Sequence, residues 1–313
     1  MKTSSISVRH IAVRHIVAVA AIAISSSAVA SAQYKFVRLN VPGASSTLAN
    51  GINNNNVITG TYANSSGTFG FTYDPGTGVW HYPISDPKAV GNTALNSSNT
   101  SGQIVGYYYS QAIARDVGMV MQPGGSFSDV TPIGCTTNAV VTGINDGAFS
   151  TMGGHCQTAQ GVTLAWESYP ANLAFSCFGS TYTEANAINN WALMAGTYTK
   201  SDGMSSGGFI STDQGTCSEV DYPGAASTTL GGINDTGTIT GSYWPNFAGA
   251  YHGFVLTGST FAAVDVPKAK ATSIGQVNNN NWFVGFYIDH KNQMHSFYAM
   301  PIAGASMLVE SEN

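Results

Sequence analysis

The chain has 313 residues, only 9% of them charged, with 11 Lys and Arg against 16 Asp and Glu and a formal charge of −5. So few cations leave no patch able to neutralise several phosphates, which excludes nucleic acid and anionic membrane surfaces as partners. With 36 Gly and 11 Pro, and short apolar alternations broken by Asn, Gly, Ser and Asp, the composition excludes an amphipathic helical domain and reads as strands and turns.

Residues 1–32 have the order of a secretory signal. Lys2, Arg9 and Arg14 precede an uncharged apolar run from Ile16 to Ile24, and Ala30-Ser31-Ala32 closes the segment, so cleavage is expected after Ala32. The apolar run is nine residues long, against the ~20 that span a bilayer. No Cys follows it to take a lipid, and no membrane span is expected. The mature chain then holds 8 Lys and Arg against 16 Asp and Glu, a formal charge of −8. A secreted or periplasmic location follows, with residues 33–302 as the folded domain and 303–313 as a C-terminal tail.

The mature chain opens on an alternating strand, Phe36-Val37-Arg38-Leu39-Asn40-Val41-Pro42, and then repeats itself. The anchor of the repeat is Gly51-Ile52-Asn53, Ala94-Leu95-Asn96, Gly143-Ile144-Asn145, Ala187-Ile188-Asn189, Gly232-Ile233-Asn234 and Val277-Asn278, with successive asparagines 43, 49, 44, 45 and 44 residues apart. Behind each anchor lie a turn rich in Asn, Asp and Gly and an apolar pair closed by glycine, as in Ile58-Thr59-Gly60 and Ile239-Thr240-Gly241. Two strands joined by a tight turn are predicted, because Asn and Gly tolerate the positive φ such turns need. A third strand follows at Gly70-Phe71, Gly118-Met119, Ala165-Trp166, Gly208-Phe209, Gly253-Phe254 and Ser296-Phe297. A fourth, often ending in Pro, lies at Val79 to Pro83, Phe127 to Pro132, Phe175 to Phe178, Cys217 to Pro223 and Phe261 to Pro267.

Only five fourth strands follow an anchor, and the sixth is the one that opens the mature chain. A closed ring accounts for both the spare first strand and the missing last one, since the N-terminal strand then completes the final blade and removes an open sheet edge. The predicted fold is all-β: a six-bladed β-propeller of four-stranded blades, closed by the N-terminal strand and expected to be a monomer.

The elements Asn40-Val41-Pro42-Gly43-Ala44, Val220-Asp221-Tyr222-Pro223-Gly224-Ala225, His252-Gly253-Phe254 and His295-Ser296-Phe297 resemble the bacterial extracellular HAF repeat family, named after its His-Ala-Phe tripeptide. The resemblance covers nearly all of the mature chain and weakens in blades 2 and 3, at Val117-Gly118-Met119 and Leu164-Ala165-Trp166. It implies export and a propeller-like repeat, and brings no activity or catalytic residues.

Four cysteines, Cys135, Cys156, Cys177 and Cys217, form an even set in an exported chain and favour two disulfides. Cys135 leads into the inner strand of blade 3 and Cys156 begins that blade's next loop on the same face, which makes this pair the preferred bridge. Cys177 and Cys217 would then join the outer strands of blades 3 and 4. His155-Cys156 lacks the further ligands of a zinc site, and turns such as Asn234-Asp235-Thr236-Gly237 lack the bidentate Glu of a calcium loop. No metal or cofactor is expected.

Two rings of repeated side chains are candidate binding features. The anchor asparagines, Asn53, Asn96, Asn145, Asn189, Asn234 and Asn278, either hold a ligand on the axis or bond their own turns, the second reading being the ordinary use of Asn in a turn. Two residues after each closing glycine stands a tyrosine, Tyr62, Tyr108, Tyr198, Tyr243 and Tyr287, with Trp244 beside the fourth and Cys156 breaking the series in blade 3. These rings either stack on sugars or grip a peptide beside the longer loops, or fill the wedge between blades. No nucleophile elbow, phosphate loop or zinc-protease motif is present. The reading is a non-catalytic module or scaffold that recognises a glycan, peptide or surface protein. The alternative is a polysaccharide hydrolase or lyase drawing on Glu167, Glu184, Asp289 and His155.

Overall fold

The computed structural model describes residues 33–302 apart from 171, 213 and 214. The segments read as signal and tail lie outside the described residues. Twenty-four strands form six four-stranded antiparallel sheets. Blade 1 is β2 (Ser46–Ile52), β3 (Ile58–Asn64), β4 (Gly67–Asp74) and β5 (Val79–Ile84). Blade 2 is β6 (Thr93–Ser98), β7 (Ile104–Ser110), β8 (Arg115–Met121) and β9 (Phe127–Val130). Blade 3 is β10 (Ala139–Ile144), β11 (Met152–Gln157), β12 (Thr163–Glu167) and β13 (Leu173–Phe175). Blade 4 is β14 (Thr183–Ile188), β15 (Met194–Thr199), β16 (Ser206–Ser211) and β17 (Cys217–Glu219). Blade 5 is β18 (Ser227–Ile233), β19 (Ile239–Trp244), β20 (His252–Thr257) and β21 (Thr260–Ala263). Blade 6 is β22 (Ala271–Val277), β23 (Phe283–Ile288) and β24 (Met294–Pro301), completed by β1 (Tyr34–Leu39) as its outer strand. This is the six-bladed β-propeller, and β1 pairs with β24 from Tyr34↔Pro301 to Leu39↔Ser296, closing the ring.

The third strand of each blade supplies the core: Phe71, Met119, Trp166, Phe209, Phe254 and Phe297 are all buried. The closing glycine of the second strand is required by the approach of this ring. A Cβ on Gly60 would lie 2.2 Å from the Leu48 carbonyl oxygen and 2.6 Å from the Phe71 ring, and Gly241 stands in the same place against Thr229 and Phe254.

A threonine opposite each ring tyrosine links consecutive blades. Thr47, Thr93, Thr183, Thr228 and Thr272 are in register with Tyr62, Tyr108, Tyr198, Tyr243 and Tyr287. Their hydroxyls accept the main-chain N–H of Val41, Asp86, Cys177, Tyr222 and Val266, fixing the incoming connection to the new inner strand at 3.0–3.1 Å. In blade 3 the pair is Ala139 opposite Cys156, so this hydroxyl is missing. The disulfide Cys135–Cys156 ties down the incoming connection there, and Cys177–Cys217 joins the connection after β13 to β17 of blade 4.

Candidate functional site

Each inner strand carries one β-bulge, and the bulged residues stand at one level around the axis: Asn50, Asn96, Thr142, Asn186 and Gly231, with Gly275 as their counterpart in blade 6. A bulge re-aims side chains that would otherwise alternate between the faces of the blade. The amides of Asn50, Asn96 and Asn186 donate to the carbonyls of Leu95, Val141 and Leu230 in the following blade at 2.8–2.9 Å, and the Thr142 hydroxyl donates to Ala185. With their N–H groups spent on the scaffold, these amides have their carbonyl oxygens left for a ligand.

Above this level the channel is closed. The position occupied by Gly51, Ser97, Gly143, Ala187 and Gly232 in five blades is Gln276 in the sixth. Its side chain reaches across the axis, accepting from the Ser97 hydroxyl at 3.0 Å and donating to the carbonyls of Thr142 and Asn186 at 2.7 and 3.3 Å. Next comes a ring of asparagines that bond both their own turns and their neighbours. The Asn53 amide donates to the carbonyl of Asn99, Asn99 to Asn145, Asn145 to Asn189, Asn189 to Asn234, Asn234 to Asn278 and Asn278 back to Asn53. The side-chain oxygens meanwhile accept from the turn, as Asn53 does from Asn55 and Val57. The blade 2 member of this ring is Asn99. Asn96, which the anchor pattern points to, sits three residues earlier on the bulge.

At the mouth, Asn54, Asp146, Asn190, Asp235 and Asn279 interlock, with Asn54 donating to Asp146 at 2.8 Å and Asn190 to Asp235 at 2.7 Å. They enclose a cavity of only about 50 Å³ over Gln276. Trp191, 72% exposed, and Phe149, stacked on Tyr169 at 4.2 Å, stand in the turns of this end. No repeat pattern marks them, because each occurs in one blade only.

A cavity of about 350 Å³ lies between blades 1 and 2, lined by Asn50, Thr61, Thr68, Asn92, Asn96, Tyr107, Tyr109 and Asp116. The ring tyrosines are neighbours of this wall in sequence but alternate to the other side of their strands. Tyr62, Tyr108 and Tyr198 are buried, while Tyr243, Trp244 and Tyr287 are half-buried. Each is engaged close to its own blade: Tyr62 by Tyr82, Tyr108 by Asp129, Tyr198 by Glu219, Tyr243 stacked on Tyr222 at 3.6 Å, Trp244 by Tyr251, and Tyr287 by His295.

Next to the cavity, blades 2, 3 and 4 place Asp116, His155 and Glu184 in sequence. His155 Nδ1 lies 3.1 Å from Glu184 Oε1, out of line for a hydrogen bond, and the Tyr182 hydroxyl donates to Glu184 Oε2 at 2.6 Å. Burial holds the imidazole below its ordinary pKa against the pull of Glu184 and Asp116, so it is neutral at physiological pH. Burial likewise raises the Asp116 carboxyl, with His155 opposing, and burial and Glu184 raise the Tyr182 phenol. Of the other acids and imidazoles considered above, Glu167 is buried in β12, and Asp289 is bonded to His295 at 2.9 Å in the turn before β24. They do not join this cluster. Among the described residues, no group of three or more His, Cys, Asp and Glu side chains could hold a metal ion.

No family model matches the chain, and no curated protein matches it. Solved structures do share the fold. A triple arginine-to-alanine mutant of AofleA from Arthrobotrys oligospora is 11% identical over 85% of this chain and 86% of that chain, with a TM-score of 0.53. Aleuria aurantia lectin, a point mutant in complex with alpha-methyl-L-fucoside, is 12% identical over 85% of this chain and 90% of that chain, with a TM-score of 0.50. A Trypanosoma rangeli sialidase in complex with 2,3-difluoro-KDN is 9% identical, with a TM-score of 0.50, and this chain covers 58% of its length. At such identities the likeness is one of fold alone.

Proposed function

We propose that the chain is an exported, non-catalytic binding propeller that recognises a saccharide in the cavity between its blades 1 and 2. The observation that carries this reading is the lining of the 350 Å³ cavity. Its volume falls at the lower end of the roughly 300–1,000 Å³ of small-molecule sites. Its wall combines tyrosine rings, which present a flat apolar surface, with hydroxyls and amide oxygens that accept from sugar hydroxyls. No Lys or Arg lines it, which disfavours an anionic ligand. Two disulfides fit an exported protein, and a lectin among the similar folds is consistent with the same class of ligand.

The test is a glycan array followed by titration calorimetry on the mature chain. Tyr109, 36% exposed at the cavity, is the residue to remove. Tyr109→Ala is expected to weaken binding about tenfold, the loss of roughly 1–1.5 kcal/mol of ring contact. Binding of peptides but no glycan, or glycan binding indifferent to Tyr109→Ala, would reject the saccharide reading.

The closeness of His155 and Glu184 is the one observation that favours a polysaccharide hydrolase or lyase instead. Turnover of a polysaccharide by the mature chain, abolished in His155→Ala, would establish that alternative.

A further inference from the structure

The blades repeat, but the seams between them do not. The second strand of each blade packs on the inner strand of the next. Two positions meet there: the residue after the closing glycine of the second strand, and the inner-strand residue that pairs with that position in the following blade. Between blades 1 and 2 these are Thr61 and Ala94, and both line the large cavity. Where blade 2 has Ala94, the other blades have Leu48, Val140, Glu184, Thr229 and Ser273. Blade 2 thus presents the smallest side chain of the six.

At the other seams the same two positions touch each other or carry more bulk. Between blades 3 and 4, His155 and Glu184 lie 3.1 Å apart. Between blades 5 and 6, the Ser242 hydroxyl donates to Ser273 at 2.9 Å and accepts the Ile274 N–H at 3.4 Å. Tyr107 with Val140 between blades 2 and 3, and Phe286 with Leu48 between blades 6 and 1, put a large ring where blade 1 has Thr61. Between blades 4 and 5 both residues are threonines, and Thr197 is buried. Protein interiors leave few voids larger than a water molecule, so a space of 350 Å³ at the seam with the smallest inner-strand residue follows from that residue.

We infer that the propeller seats one neutral saccharide per chain, between blades 1 and 2, and that Ala94 is the residue that keeps this seat open. The inference rests on the saccharide reading above and adds to it a stoichiometry and a specificity-determining residue. Tyr107 and Tyr109 offer rings to the apolar face of a sugar, while the Asn50 amide, both of whose N–H groups are bonded within the protein, has its oxygen for a sugar hydroxyl. Six equal seams would offer six seats and bind a repetitive glycan by avidity. One seat makes the chain a monovalent receptor, with the affinity of a single site.

The full mature chain is titrated calorimetrically with β-linked trimers of glucose, galactose and mannose. One trimer bound per chain is expected. Ala94→Leu, which copies Leu48 of blade 1, should weaken binding more than about tenfold by filling the seat. Ala94→Val, which copies Val140 of blade 3, should weaken it less and keeps the test decisive if the larger side chain disturbs the fold. Thr229→Leu makes the corresponding change between blades 4 and 5 and should alter neither affinity nor stoichiometry, with melting curves confirming that all three variants fold. More than one trimer per chain, or binding that weakens in Thr229→Leu, overturns the inference and leaves the saccharide reading standing. Binding unchanged in both folded Ala94 variants overturns it equally. If none of the trimers binds, the inference fails and the glycan array decides the broader reading.

Discussion

Single residues set the character of the axis, and Gln276 shows how. Five small residues at its level leave room for one long amide, which then serves three other blades at once. Gln276→Ala is expected to lower stability by about 1–3 kcal/mol, because the Thr142 and Asn186 carbonyls lose their shared donor. Denaturant titration checks this; an unchanged midpoint would show that water replaces the amide without loss. Sequence alone gave no reason to single out Gln276, since a search for what repeats passes over the one blade that departs. The asparagine ring was legible in five blades. It slipped to Asn96 in blade 2 because Leu95-Asn96 imitates the apolar-Asn anchor. The threonine six residues before five of the six ring asparagines, as Thr47 is before Asn53, places Asn99 correctly from Thr93 and is the stronger signal, blade 3 alone having Ala139 there.

At the scale of strands and connections, the period-2 alternation and the turn chemistry made nearly every element readable, including β1 as the partner of the last blade. The bulges were not readable. They insert one residue without changing the apolar pattern on either side, and it is they that turn Asn50, Asn96 and Asn186 toward the axis. The wide cavity is therefore not legible in the sequence, where the regular tyrosines stand on the other side of the same strands. Blade 3 shows how one kind of tie substitutes for another. Where Thr and Tyr are replaced by Ala139 and Cys156, the covalent bond to Cys135 holds the connection. The second bridge spans 40 residues and crosses from blade 3 to blade 4. Replacing Cys177 and Cys217 together by Ala is expected to cost about 2–4 kcal/mol, most of it through the larger freedom of the unfolded chain. The melting temperature of the double variant should match that of the reduced protein retaining only Cys135–Cys156. A variant as stable as the parent would mean that the hydroxyl tie of Thr183 suffices at this junction.

For the whole molecule, the decisive feature is that one blade is built from both ends of the folded domain. Five blades are continuous in sequence and the sixth is not, so the ring cannot open between its first and last blades without breaking the β1 and β24 ladder. The ends meet there: the Ile302 N–H donates to the Gln33 carbonyl at 2.8 Å. A short Gly-rich linker can therefore join 302 to 33, and new ends can be cut elsewhere to ask what the split blade contributes. Opening the exposed β19–β20 connection between Phe247 and Ala248 splits blade 5 instead, so the clasp is moved and kept, and a melting temperature within about 4 °C of the parent is expected. Opening between Pro223 and Gly224 falls between blades 4 and 5, leaving six continuous blades held into a ring at that seam by side-chain packing and the hydrogen bonds of Asn186 and Asn189, without a shared sheet. This second permutant should melt lower and with reduced cooperativity. Equal stability of the two would show that packing between blades, not the shared sheet, is what closes the ring.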